Sequence, residues 1–478
     1  MESDPFIEIT MQLANVALNT HAMDTMDLPV IARLLGNSRD HDCLESLVHL
    51  RIHLTQKIND SSHAMEIVIA WGLLERLRCL LQINEPDSQF ECAWIITNLA
   101  AGEPKYQKHI IDAGFFLPLL YCLSYAGHSK ARIQASWALS NLTAESVILR
   151  EQWMYHGAHT MINQLKLLCA EDIVHDLSIV EDKRVLGWSL SNMCRGGFNS
   201  TNYQEMYLGA FDALGLCVLS SDKQLCTTAC WGLSRILDIK HPKDFYETLS
   251  LPPAFCRRLV ELLSNRDDII VPVLNIIYCL VSGPWRLAEC FMVTDIMSYL
   301  YHWMTIQTSV SLRTSGIRIA RCLVQHQQTV KYKVFETVDF GSILLSLGIP
   351  NHVYCEAAVR WVVSSEETTT WSITQEVLLF LFYYFQHSSN GLISTLGSLQ
   401  IIPKSLVTIL HHPDLPLDTS LQSVSVINIF LSRLISLDRQ STFVSVLLQE
   451  GILPSLSFLC QKHQSDQFTH ESNKLFNL

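Results

Sequence analysis

Three residue pairs in this chain have types and spacing suited to recognition chemistry. Trp94 and Asn98 stand four positions apart in QFECAWIITNLAAG, Trp137 and Asn141 in ASWALSNLTAES, and Trp188 and Asn192 in LGWSLSNMCRGG. On a helix, such pairs lie one above the other on the same face. A fourth copy, TACWGLSRILD, keeps Trp231 but carries Arg235 where the Asn would stand. An indole offers an apolar face that attracts a cation, for ~0.5–2 kcal/mol. A carboxamide offers donor and acceptor together, which suits a peptide main chain. A lone Trp in a helix is ordinarily core, and one such pair alone would be read as structural. Recurrence changes the balance: Asn is a poor helix former and needs partners when buried, so its return at one position points to a face lining a groove. Carboxylates at the rim, Glu103, Glu145 and Asp238, would complete the recognition of a Lys/Arg-rich segment.

Other chemistries find little support. The sequence has no phosphate-cradling Gly loop, no GxSxG and no HExxH, so no enzyme activity and no cofactor are expected. Fifteen cysteines include no CxxC pair and read as small core residues in a reducing compartment, with no zinc set among them. The His411-His412 doublet does not complete a metal site either. A formal net charge of −12, with no Lys/Arg cluster, argues against nucleic acid and suits a basic partner. Two uncharged stretches, Ala113 to Ser129 and Ile269 to Trp285, reach 17 residues each. A membrane span needs about 20 apolar residues, so both read as buried repeat helices and no stable membrane insertion is expected.

The elements that must position the pairs repeat as well. The steps between successive tryptophans of the motif are 43, 51 and 43 residues. Before each Trp helix the chain shows an apolar helix, a Gly expected at a turn, and a second apolar helix: IIDAGFFLPLLYCL, WMYHGAHTMINQLKLL and MYLGAFDALGLCVL. Only stacked neighbours could bury such faces, so the unit is a solenoid repeat. Gly72 is expected at a helix junction with positive φ. The longer step is assigned to a loop insertion over 169–183. The frame continues through Asn275, Ile317 and Val359 without the Trp or the Asn. The expected organisation is an N-terminal segment over 1–27, one helix at most, a continuous repeat array over 28–465, and a frayed tail over 466–478. Within the array the motif-bearing repeats occupy 86–240, and degenerate repeats occupy 241–465.

A period near 42 residues with three helices is the armadillo type, and the motif copies resemble the armadillo repeats of importin-α, the adaptor that reads nuclear localisation signals. The resemblance implies an all-α, right-handed armadillo-repeat superhelical solenoid, nuclear and cytoplasmic, that binds Lys/Arg-rich cargo segments. It assigns the signal-binding groove to Trp94, Asn98, Gly102, Trp137, Asn141, Glu145, Trp188, Asn192, Trp231 and Asp238. Gly102 matches a position whose carbonyl meets the key lysine, Glu145 stands for an Asp that pairs with it, and Arg195 matches an Arg of the family. Departures are also visible. Arg235 replaces a Tyr, Thr228 replaces an acidic residue, and Arg321 would repel a basic peptide in the later repeats. Residues 1–27 contain no Lys or Arg, so the basic importin-β-binding segment has no counterpart there, which puts importin-β in question as a partner. The alternative is an armadillo scaffold or assembly protein that has lost signal binding.

Overall fold

The computed structural model describes residues 28–37, 39, 43–56, 61–102, 104–125, 128–144, 146–170, 177–195, 203–239, 241, 243–264, 268–292, 294–305, 310–326 and 371–476. The segment 1–27, Glu103 and Glu145 lie outside them. Among the described residues all regular secondary structure is helical, in line with the all-α repeat architecture. The chain divides into two compact units, one ending at Phe245 and the other beginning at Tyr246.

In the first unit the helices are α1 (Leu28–Asn37), α2 (Leu44–Gln56), α3 (Ser61–Ala70), α4 (Leu73–Leu81) and α5 (Pro86–Ala100). They continue with α6 (Pro104–Asp112), α7 (Phe116–Tyr125), α8 (Ser129–Thr143), α9 (Val147–Ala170), α10 (Leu177–Met193), α11 (Gln204–Val218) and α12 (Lys223–Asp238). Local sequence sets these limits. Pro86 opens α5 at a position whose N–H is not needed. Asp222 caps α12 by accepting from the Leu225 amide at 2.7 Å. Gly72 and Gly114 turn the chain between helices with φ of 67° and 79°, a region glycine enters without a Cβ clash.

Two layers result. The motif helices stack in order, α2 on α5, α5 on α8, α8 on α10 and α10 on α12. Behind them α4, α7, α9 and α11 form the second row. Phe115, Trp153 and Tyr207, on or beside helices of the second row, are fully buried. Full burial of one large apolar side chain is worth about 1.5–3 kcal/mol, and here each repeat depends on its neighbour for that burial.

The structure corrects three expectations. Gly157 and Gly209 are not at turns: each lies inside one continuous helix, α9 and α11. Gly157 serves close packing instead, since a Cβ there would stand 2.8 Å from Trp153 Cδ1. The expected loop over 169–183 is helical from Leu177 on, as the start of α10. The tail expected to fray is helical over Asp466–Phe476, held by buried Phe468 and Leu475 against the helix Leu417–Ser436.

The second unit repeats the stacking of its inner helices: Ile270–Ser282, Val310–Gln325, Trp371–His387, Leu417–Ser436 and Asp466–Phe476 follow one another. Arg321 is not the isolated cation the sequence suggests. Arg321 and Arg318 share the Glu376 carboxylate, at 2.8 Å and 3.1 Å. No single described helix is long and apolar enough to cross a membrane. Burial holds the thiols of Cys122 and Cys194 up at about 12, which leaves them protonated and unreactive near neutral pH.

Candidate functional site

The motif residues come together along the row α5, α8, α10 and α12. The three asparagines each reach back to the preceding helix of the row. Asn98 Nδ2 donates to Thr55 Oγ1 at 3.1 Å, Asn141 Nδ2 to the Thr97 carbonyl at 3.1 Å, and Asn192 Nδ2 to Ser140 Oγ at 2.9 Å. Arg235 continues the series, donating to Ser191. The repeat length places each donor opposite the residue that precedes the previous motif position, or opposite Thr55 for the first. Such bonds contribute about 0.5–1.5 kcal/mol each. They fix the carboxamide rotamers of half-buried Asn98 and of Asn141, which is 9 % exposed, through the nitrogen and not the oxygen.

The tryptophans are less open than their spacing suggests. Trp137 and Trp188 meet edge to face, with ring centroids 6.3 Å apart and an interplanar angle of 71°. They are 9 % and 5 % exposed, and their indole N–H groups are buried without an acceptor among the described residues. The rings therefore fill the space between two repeats and leave no slot for a lysine stem between them. Trp94 and Trp231 are half-buried. Trp94 is itself engaged: Phe90 meets it edge-on, and the Arg51 guanidinium lies over its ring, 4.4 Å from the centroid.

Arg51, on α2, also binds Glu91, one turn before Trp94 on α5, at 2.5 Å. Both partners of this pair are buried. Burial pushes the Glu91 carboxyl up, against the pull of the Arg51 hydrogen bond and charge. The pair is therefore a structural tie between the first two helices of the row rather than a free anion for a ligand.

The remaining candidates scatter. Gly102 is half-buried just past α5, and Asp238 is exposed at the end of α12. Arg195 is half-buried just beyond α10, and Thr228 is buried within α12. Among the described residues no group of His, Cys, Asp or Glu could hold a metal ion. The sequence reading missed Arg51, Glu91 and the hydroxyl seats Thr55 and Ser140. A sign of the seats was present, because Thr or Ser directly precedes each motif position in Thr97-Asn98, Ser140-Asn141, Ser191-Asn192 and Ser234-Arg235.

Comparison with known proteins points one way. No protein-family profile matches the chain. It is similar to importin subunit alpha-1b of Oryza sativa subsp. japonica, 27 % identical over 259 residues, 53 % of this chain and 45 % of that protein. It is similar to importin subunit alpha-2 of Arabidopsis thaliana, 31 % identical over 211 residues, 44 % of this chain and 36 % of that one. Importin subunit alpha-2 of Caenorhabditis elegans is 26 % identical over 255 residues, 53 % of this chain and 45 % of that protein. The chain thus spans less than half the length of these relatives. Among solved structures, an engineered protein shares the fold with a TM-score of 0.65 at 16 % identity, covering 95 % of this chain and 98 % of its own. A designed armadillo repeat protein covers 53 % of this chain and 100 % of its own at a TM-score of 0.43 and 17 % identity.

Proposed function

We propose that the first unit binds short Lys/Arg-rich peptide segments along the row α5, α8 and α10, as an adaptor of the importin-α kind working between cytoplasm and nucleus. The observation that carries the reading is the series of carboxamides at Asn98 and Asn141. Each is held by one N–H to the helix before it and keeps its oxygen as an acceptor. Two such groups one repeat apart can hold an extended main chain at alternate residues. The net charge of −12 favours a basic ligand, and affinity should fall with salt. The similarity to importin alpha subunits supports the same reading.

The experiment is fluorescence anisotropy of a labelled lysine-rich peptide at low and physiological salt. It compares the wild type with an Asn98→Ala/Asn141→Ala variant that stays helical by circular dichroism. Salt-sensitive binding that is lost in the variant is expected; binding that persists unchanged in the variant would sink the proposal.

A second reading, a repeat scaffold without peptide binding, is favoured by one observation. Trp137 and Trp188 are closed on each other and buried, as core residues are. No binding of the peptide at low salt would decide for it.

A further inference from the structure

Two cysteines of the second row touch across consecutive repeats. Cys169 is the next-to-last residue of α9, and Cys217 is the next-to-last residue of α11. These helices pack side by side, and the two thiol sulfurs lie 3.7 Å apart. A disulfide bond is about 2.05 Å long, so a closure of less than about 2 Å would join them. Helix ends can give by such a distance while the inner turns keep their bonds.

The two sulfurs differ in access and acidity. Cys169 is half-buried and Cys217 fully buried. The hydrogen bond with Cys217 and the charge of Lys183 hold the Cys169 thiol below its ordinary value, against its burial. The same hydrogen bond, with burial, pushes the Cys217 thiol up. Cys169 is thus the accessible, more acidic thiol, and Cys217 is the enclosed one beside it, as in a pair of attacking and resolving cysteines. The contact of Cys256 with Cys290 lacks this asymmetry: burial raises both thiols, that of Cys256 to about 12.

We infer that Cys169 and Cys217 are a modification site, which a peroxide converts to a reversible disulfide tying α9 to α11. The Cys169 thiolate attacks one peroxide oxygen. The S–O bond forms, the O–O bond breaks, and the departing hydroxide leaves as water with the proton of the Cys169 thiol. Cys217 sulfur then attacks the sulfenic sulfur of Cys169. The S–S bond forms, the S–O bond breaks, and the second hydroxide leaves as water with the Cys217 proton. Two thiols and one hydrogen peroxide thus give one disulfide and two waters, and a dithiol reverses the bond by exchange. The bond closes a loop that contains α10, and so braces the junction of two repeats by constraining the unfolded chain. This site does not depend on peptide binding.

The test treats the full chain with a small excess of hydrogen peroxide, quenches with catalase, alkylates the remaining thiols and digests with trypsin without reductant. Trypsin isolates Cys169 in 167–183 and Cys217 in 196–223, and it leaves Cys226, whose charge also acts on Cys217, in 224–235. Mass spectrometry should find 167–183 joined to 196–223, lighter than the two reduced peptides by two hydrogen atoms and split by dithiothreitol. Oxidised wild type should melt about 2 °C or more above the reduced chain. Cys169→Ser should lose the joined species and the shift, and Cys226→Ser should keep both. Should Cys169→Ser fail to fold, the wild-type digest decides alone. The assignment is overturned if Cys169 stays alkylated or becomes a sulfinic acid without joining Cys217. It is equally overturned if Cys217 is joined to 224–235, or if Cys256 and Cys290 join first. A Cys169–Cys217 bond that leaves melting unchanged overturns the bracing role alone.

Discussion

Arg51 stands over Trp94 with its guanidinium carbon 4.4 Å from the ring centroid, so the first indole of the row already holds a cation of its own chain. The same guanidinium is bound to the buried Glu91 carboxylate. Sequence spacing aligns the indoles for a ligand's cations; in the fold, one indole is occupied from within and two others face each other.

Removing Arg51 should be costly. Arg51→Met leaves the Glu91 carboxylate buried without its counter-ion, and breaking a buried pair from one side costs about 3–5 kcal/mol. The Arg51→Met/Glu91→Gln double variant removes both charges and should recover part of that loss in urea unfolding. pH gives a second check. The Glu91 value is raised in the folded chain, burial outweighing Arg51, with the charge of Asp87 adding to the rise. A carboxyl raised on folding contributes stability that is full below its unfolded value, near 4.5, and is lost as pH rises through the folded value. Glu91→Gln should therefore flatten the fall in stability above that pH.

The Trp137–Trp188 contact makes a separate prediction. Each ring fills inter-repeat space, so Trp137→Ala should cost about 3–5 kcal/mol through the cavity it leaves. A double-mutant cycle with Trp188→Ala should yield a coupling of about 0.5–1.5 kcal/mol, the scale of an edge-to-face aromatic pair. A coupling of zero by denaturant unfolding would mean that the two rings pack independently.

Much of the repeat frame was legible in the sequence because its causes are local. The 43-residue step fixes which helices stack, and Gly72 and Gly114 do adopt the positive φ that a tight helix junction demands. Gly157 was misread because a glycine in the sequence does not disclose its use. At Gly72 it permits a left-handed turn with nothing near its missing Cβ; at Gly157 it leaves room for the Trp153 ring of the same helix and for Leu120 of α7. The indoles were legible as one helical face, but periodicity cannot tell whether a face meets solvent or the next repeat. That depends on the distance between stacked helices, which brings Trp137 and Trp188 into contact. Glu91 and Arg51 lie 40 residues apart and show no motif, so their pairing emerges only when α2 meets α5.

Glycine substitutions test the closeness of that stacking. At Gly232 an added Cβ would lie 2.7 Å from Leu214 Cδ1 and 3.0 Å from Ser191 Cβ, the residue on which Arg235 is seated. Gly232→Ala should therefore destabilise by about 1–3 kcal/mol, the usual cost of overpacking. Gly391 is helical, and nothing lies within 4 Å of its added Cβ. Gly391→Ala should raise stability by about 0.4–1 kcal/mol, and thermal unfolding of the two variants should move in opposite directions.

Asp222 joins two jobs in one carboxylate. It caps α12 through the Leu225 amide and binds Arg184 of α10, with its closest contact at 2.7 Å. Burial alone would raise its pKa, but the Arg184 hydrogen bond and charge, with the Leu225 and Gln224 N–H groups, together outweigh burial and hold it below the usual carboxylate value. A carboxyl lowered on folding contributes stability that is full above its unfolded value, near 3.8, and is lost as pH falls through the folded value. Asp222→Asn keeps a capping oxygen and loses the charge; it should cost less at pH 3 than at neutral pH. Asp222→Ala loses the cap as well and should cost about 1 kcal/mol more than Asp222→Asn across that range. Acid unfolding followed by circular dichroism separates the two. If Asp222→Asn matched the wild type at neutral pH, the Arg184 pair would contribute nothing, and the α10–α12 junction that seats Arg235 would rest on apolar packing alone.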